Sequence, residues 1–515
     1  MKITKTFINI IFSVLITISL VGAIALLPEN INGVSLSFVK AVNFLILLLV
    51  LLLILRHFFH NAWQKSVNFC KAIFSHKITW VVIIALVLLW QLVCVFLLSG
   101  TSTWDWMFLV QRATTAKLGW PWPNYLSVNP NNTMLLKLES IYFHLLGRPS
   151  FEHFMYSLNI ANVAIVDFGT YLIWKLAKKF TSPLVAKLTF VLTLVLFTCV
   201  PFFVIPYSDT LSFFLTAAIL YTVVRAIDFQ QKKQFYLFGL LLGFELLLSY
   251  LLKPSLMVLL IAVLFVLVLL ILTRNGQIKL KSAGIMLAIS IAFLGIGSVL
   301  MKEYLYHHNG IVKVDTRQAL PMSHFAAMGI TGDGDYNVTD MFNSANIKDP
   351  EARNKASLRL IKERFINQGG ILGYEKFLIH KQIKNSADGS MAWGHEVYYL
   401  KAFHPNNEQL EKTFPRRYFL EKNGIATEGK FDFRTVQQIF WIIALVLILG
   451  SIFDQSLWGL FLKFSAVGFF AFLLIFEGGR TRYLIQFLPV LFLLASLGMQ
   501  RGINYVAQIR RNKQG

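Results

Sequence analysis

Residues 79–106 read TWVVIIALVLLWQLVCVFLLSGTSTWDW. The first 21 positions, 79–99, carry no charge, and one polar amide, Gln91, interrupts the apolar residues. A membrane-crossing helix needs roughly 20 mostly apolar residues. A segment of this kind must be helical, because lipid offers no partner for free backbone amides. An acid, Asp105, follows a few residues beyond the end, between Trp104 and Trp106. The run says where the chain lives, and the acid at its rim points to chemistry at a membrane surface.

Similar runs recur outward in both directions. Spans are expected at 7–27, 37–56, 79–99, 153–175, 183–205, 208–227, 235–252, 254–273, 281–301, 435–453, 456–476 and 482–500. The 515 residues are 56% hydrophobic and 14% charged, with mean hydropathy +0.61. A soluble chain of this length has no interior large enough for that much apolar surface. The expected class is an all-α polytopic membrane protein of about twelve spans. The first run is long and lacks a clean small-residue cleavage site, so it reads as an uncleaved span rather than a signal peptide.

The net charge of +22 reads as topology rather than a nucleic-acid surface. Short cytoplasmic loops collect Lys and Arg. Arg56, Lys65, Lys71 and Lys77 follow the second run; Lys175, Lys178, Lys179 and Lys187 lie around the fourth and fifth. Arg225, Lys232 and Lys233 follow the sixth, and Arg274, Lys279 and Lys281 the eighth. Arg501, Arg510, Arg511 and Lys513 form the tail. One orientation puts all of them inside, with both termini cytoplasmic. The three cysteines, Cys70, Cys94 and Cys199, lie in or beside membrane runs and imply neither a disulfide framework nor a metal site.

This orientation leaves two long outer segments, 100–152 and 302–434. In the first, 103–118 forms an amphipathic helix pattern ending at Gly119, and Pro121-Trp122-Pro123 then breaks the chain. A second such pattern, 131–146, ends at Gly147. Both read as helices lying in the outer interface. The second segment holds a turn-rich stretch, Thr331 to Asp340, then helical patterns near 350–367 and 371–386, and reads as a small mixed subdomain. The expected division is 1–60, two added N-terminal spans; 79–301, a membrane core including 100–152; 302–434, the extracytoplasmic subdomain; 435–500, the C-terminal spans; and 501–515, a basic tail.

Asp105 opens an amphipathic helix, so the plain reading is an N-cap. The functional reading is a surface acid that deprotonates an acceptor or binds a metal. Asp209, in Pro206-Tyr207-Ser208-Asp209-Thr210, stands at the outer mouth of the sixth span, again as cap or functional acid. Lys253-Pro254 puts a cation on the outer side, against the charge rule. Glu477-Gly478-Gly479-Arg480-Thr481-Arg482-Tyr483 puts two arginines there. Arg carries a fixed fork of donors suited to phosphate. Lys253, Arg480 and Arg482 thus form a candidate phosphate site at the membrane rim, with lipid-headgroup anchoring as the plainer reading. Glu477, Tyr483 and the lone outer His324 are candidate supports. Asp333, Asp335, Asn337 and Asp340 do not complete a calcium loop and read as a turn.

The order of these features resembles the GT-C superfamily of membrane glycosyltransferases, which includes protein O-mannosyltransferases and lipid A aminoarabinose transferases. The matching elements are the span 79–99, Asp105, helices to Gly119 and Gly147, the span 153–175 and Lys178-Lys179. Lys253-Pro254, and Glu477 to Tyr483 with Pro489, are similar to that superfamily's Lys-Pro turn and Glu-x-x-Arg-x-Arg-Tyr element. Asn129-Pro130-Asn131-Asn132, Tyr207-Ser208-Asp209-Thr210 and Met328-Gly329-Ile330 are similar to glycosyltransferase-like membrane proteins of Gram-positive bacteria. The resemblance covers roughly 79–300 and 435–500.

The resemblance implies inverting sugar transfer from a polyprenyl-phosphate donor to a cell-envelope glycan, lipid or protein at the outer face. Asp105 would be the base, Asp209 a second catalytic acid, and Lys253, Arg480 and Arg482 the phosphate ligands. Many members carry two acids in the first loop, whereas Asp105 stands alone between tryptophans. Asp209 or Glu477 would have to supply a second carboxylate for a divalent cation, and metal use stays open. The competing class is a transporter or lipid-linked glycan flippase, and a ligase or non-catalytic assembly protein is a third. Transport predicts mid-span charge and internal symmetry. Asp167 and Glu245 are the clear mid-span acids, and the halves show no symmetry.

Overall fold

The computed structural model describes residues 2–115, 124–228, 232–272, 280–396 and 400–512. Gly119, Pro121, Trp122, Pro123, Arg274, Lys279 and Lys513 lie outside the described residues. The fold is all-α, and among the described residues twelve helices are long and apolar enough to cross a membrane. They are Ile3–Asn32, Leu36–Phe58, Lys77–Leu98, Phe151–Phe180, Pro183–Val204, Ser208–Asp228, Gln234–Leu252, Pro254–Leu272, Lys281–His307, Phe431–Phe453, Leu457–Ile475 and Thr481–Asn512. All twelve expected spans have a counterpart. Several helices overrun their apolar runs, because terminal Lys and Arg keep their heads in polar surroundings while their stems stay apolar.

Between helices embedded in lipid, apolar burial gives little drive to associate, so close packing and internal polar contacts hold the bundle. The seventh span packs on the ninth, the tenth on the twelfth, and the sixth on the fourth and seventh. The first span lies against the tenth and eleventh. The second buries none of its residues, and Ser35 at its head donates from its amide and hydroxyl to Asp432, 2.7 Å each.

The first long connection contains helices Asp105–Thr114 and Thr133–Leu145, which pack on each other. They answer to the expected patterns at 103–118 and 131–146. The second connection is largely helical, and its helices Pro350–Asn367 and Gly370–Ser386 match the two helical patterns expected there. Its helices include Met322–Met328, Val338–Asn346, Pro350–Asn367, Gly370–Ser386 and Phe414–Phe419. Its strand Lys401–Ala402 pairs antiparallel with Gly100–Thr101. A Cβ on Gly100 would lie 2.0 Å from the Lys401 carbonyl, so only glycine permits this approach. The pairing, with the Phe403 amide donating to the Ser99 carbonyl at 2.8 Å, fixes the chain just ahead of Asp105.

Helix Gly370–Ser386 sinks into the bundle against the first span. Ser386 meets the Ser19 hydroxyl at 2.7 Å, and Trp441 of the tenth span donates to the Ser386 carbonyl at 2.8 Å. Gln438 donates to the Ala387 carbonyl at 2.8 Å. These partners let a polar segment leave water without stranding its backbone.

Candidate active site

Successive spans run in opposite directions. The end of the third, the starts of the sixth and twelfth, and the turn between the seventh and eighth therefore meet at one end of the bundle. Asp105, Asp209, Lys253, Arg480 and Arg482 gather there.

Pro254 disfavours helical backbone at Lys253, and the seventh helix stops at Leu252. The Lys253 ammonium turns toward Asp209 Oδ1 at 3.0 Å, with Ser208 Oγ at 3.5 Å. Arg482 Nη1 reaches Asp209 Oδ2 at 3.2 Å. Asp209 therefore joins both cations, and it is not a bare helix cap. Ser255 hydrogen-bonds Gln486, and Thr216 donates to the Gln486 carbonyl at 2.7 Å. The 3₁₀ turn Thr481–Phe487 is thereby locked to the sixth span and the Lys-Pro turn.

Glu396, which the sequence did not single out, completes the cluster. Its Oε1 lies 2.9 Å from Arg480 Nε and its Oε2 lies 2.8 Å from Arg482 Nε. Glu396 is 4% exposed and Arg482 8%. Asp335 sits at the rim, 3.6 Å from Arg480. Rings line the cations: Arg482 lies 4.8 Å from the Trp104 ring and 5.5 Å from Tyr483, and Lys253 lies 5.3 Å from Tyr483. Cations over aromatic faces are stabilised at little solvation cost once water is excluded. Burial opposes the charge on Arg480, but Tyr483, Glu396 and Glu477 around it hold its pKa above the ordinary arginine value.

Asp105 is the first residue of its helix. Trp104 occupies the N-cap position, and no side chain caps there. The plain capping role for Asp105 is thus not what the fold uses. Asp105 keeps solvent access, while surrounding protein crowds its carboxylate. That burial raises its pKa, against a hydrogen bond from Tyr125 and the charges of Arg482 and Arg480. Asn132 donates to the Tyr125 hydroxyl and also bonds Tyr207. Burial, then the Asp105 charge, push both tyrosines well above their usual range and keep them neutral donors. Tyr125, Asn132 and Tyr207 are a support for Asp105 that sequence reasoning missed. Asn132 and Tyr207 lie in motifs that drew attention for other reasons.

Glu477 accepts from the Tyr483 hydroxyl at 2.5 Å, and burial raises its pKa against that bond and Arg480. Two glycines set the arginines. A Cβ on Gly478 would lie 2.4 Å from the Leu473 carbonyl, and Gly479, at φ +68, would meet the Asp333 carbonyl at 2.5 Å. Lys381 holds this loop from behind, donating to the carbonyls of Gly329, Leu474 and Phe476 at 2.7, 3.1 and 2.7 Å. Burial lowers its pKa to about 7, against the pull of Glu477 and Asp335.

His324 Nε2 has no hydrogen-bond partner among the described residues. It is buried beside Asp340 and Arg364, and burial lowers its pKa to about 4. The turn acids separate: Asp333 pairs with His380 and Lys384, Asp340 with Arg364, and Asn337 caps a helix. Asp209 is spoken for by two cations and Glu477 by a tyrosine. Among the described residues no three His, Cys, Asp or Glu side chains group to hold a metal ion.

Among the described residues, twelve helices long and apolar enough to cross a membrane, with a buried cluster of three cations and their carboxylate partners at one end, define an all-α polytopic membrane protein. A family model described as a conserved hypothetical integral membrane protein matches residues 1–503, and the chain belongs to that family. No curated protein matches the chain. Among solved structures, it is similar to the crystal structure of ArnT from Cupriavidus metallidurans bound to undecaprenyl phosphate. The identity is 12% and the TM-score 0.32, over 83% of this chain and 78% of that one.

Proposed function

We propose that the protein is a glycosyltransferase that moves a sugar from a polyprenyl-phosphate donor to a cell-envelope acceptor at the outer face of the membrane. The observation that carries this reading is the meeting of a solvent-accessible acid, Asp105, with Arg480 and Arg482, which Asp209 ties to Lys253.

In this reading Asp105 takes the proton from an acceptor hydroxyl. The hydroxyl oxygen attacks the anomeric carbon opposite the phosphate, the carbon–oxygen bond to phosphate breaks, and configuration inverts. Burial raises the pKa of the base above the ordinary aspartate value, the direction that strengthens it as a proton acceptor once ionised. Lys253, Arg480 and Arg482 hold the phosphate as charge collects on its leaving oxygen. Their low exposure makes each contact stronger than in water. The lipid tail stays in the membrane beside the bundle.

The orientation with cytoplasmic termini belongs to the same proposal. The transport reading leans on Asp167 and Glu245, and each is engaged inside the bundle, by Gln91 at 2.8 Å and Thr222 at 2.9 Å. Radiolabelled polyprenyl-phosphate sugars given to membranes containing the protein test the proposal. Label should pass to an acceptor, and should not with Arg482→Ala. Equal transfer with Arg482→Ala speaks against it. A cysteine placed at Thr103 should react with an impermeant reagent in whole cells, and protection there would reverse the orientation.

A further inference from the structure

Glu396 bridges Arg480 and Arg482 with one oxygen on each, yet neither contact is an aligned hydrogen bond. Among the described residues, both carboxylate oxygens and Arg482 Nε lack a hydrogen-bond partner. Charge holds the group in place without the fork geometry that guanidinium favours. A phosphate oxygen can supply that alignment.

The backbone leading to Glu396 is also unusual. Met391, Ala392 and Gly394 have φ of 52, 60 and 86. Side-chain-bearing residues rarely take this conformation, and it persists only where the surroundings impose it. The imposition is visible: Asp388 accepts from the amides of Ser390 and Ala392 at 2.9 and 3.0 Å. Trp393, buried, donates to the Phe419 carbonyl at 3.2 Å. The backbone is anchored through Glu396, whose amide donates to the Ala392 carbonyl at 2.9 Å, so only the Glu396 side chain, held by ion contacts without an aligned hydrogen bond, is poised to yield.

Charge accounting points the same way. Lys253, Arg480 and Arg482 pair with Asp209 and Glu396, with Asp335 3.6 Å from Arg480 at the rim. If Glu396 leaves, the arginines face the cavity with one more unit of positive charge for an incoming phosphate.

We propose that Glu396 is a resident anion. It occupies the place of the lipid-linked phosphate between Arg480 and Arg482, yields when that phosphate binds, and competes it out as product. The proposal rests on reading the arginines as a phosphate site.

Equilibrium binding of labelled undecaprenyl monophosphate to the purified full-length protein in detergent tests both. The isosteric Glu396→Gln should bind about tenfold tighter than wild type and release the lipid more slowly. Unchanged or weaker binding by Glu396→Gln, with wild-type binding still lost in Arg482→Ala, overturns the role of Glu396 alone. Wild type binding no better than Arg482→Ala overturns the phosphate reading beneath it. Hydrogen exchange on unmodified protein gives an answer without any variant. Peptides covering 387–396 should exchange faster once undecaprenyl monophosphate is bound, and slower or unchanged exchange contradicts the proposal.

Discussion

Asp209 accepts from Arg482 at 3.2 Å across 273 residues of sequence, and the same carboxylate takes Lys253 at 3.0 Å. One acid thus joins the sixth span, the Lys-Pro turn and the last span. Breaking a buried ion pair by removing one partner costs about 3–5 kcal/mol, because the other charge is stranded. Asp209→Ala should lower the melting temperature in detergent and abolish binding of undecaprenyl monophosphate. An unshifted melting temperature would show that the pairing carries no stability.

Arg482→Lys keeps the charge and loses the fork. Arg482 contacts Asp209 through Nη1 and Glu396 through Nε, and an ammonium cannot span both with planar geometry. Transfer should fall about 100-fold, the scale expected when one preorganised donor is removed. Initial rates at saturating donor read this directly.

The pH profile should carry a displaced acid limb. Burial raises the Asp105 pKa, and a base works only when ionised. Transfer should therefore rise with pH through a midpoint above the usual carboxylate range. Arg482 and Arg480 oppose the raise, so Arg480→Gln should move the midpoint further up. A downward move would assign the limb to another group.

Lys381 predicts a slope in stability. Its pKa falls from 10.5 to about 7 in the fold. Between those values the unfolded chain binds the proton that the folded one lacks, so stability rises with pH across that window. As pH drops through about 7 that contribution is lost. Lys381→Met should remove this part of the dependence, seen as the difference between the two melting profiles. It should also weaken phosphate binding, because the stretch leading to Arg480 loses the contacts at the Leu474 and Phe476 carbonyls and its tie through Lys381 to Gly329.

Gly478→Ala and Gly479→Ala should each lose undecaprenyl monophosphate binding. The added Cβ meets backbone rather than a flexible side chain, so the loop must move and carry Arg480 and Arg482 with it. Either variant binding as wild type would show that the loop tolerates the shift.

The twelve spans were legible because hydropathy is local: each run alone exceeds the length a bilayer demands. The cations Lys253, Arg480 and Arg482 were legible as exceptions to a charge rule. Glu396 was not, since it sits among turn residues of a segment that looked like an outer loop. What buries that segment is supplied by Ser19, Gln438 and Trp441, far away in sequence. The two-residue strand Gly100–Thr101 is too short to leave an alternation. Asp105 could not be separated from a helix cap until Trp104 was seen in the capping position.

The central claim is that Asp105 acts as the base of sugar transfer. Wild type and Asp105→Asn should be compared in membranes supplied with radiolabelled polyprenyl-phosphate sugars, alongside binding of undecaprenyl monophosphate. The account predicts transfer down at least about 100-fold in Asp105→Asn, with lipid-phosphate binding retained. Transfer at the wild-type rate by Asp105→Asn would contradict it.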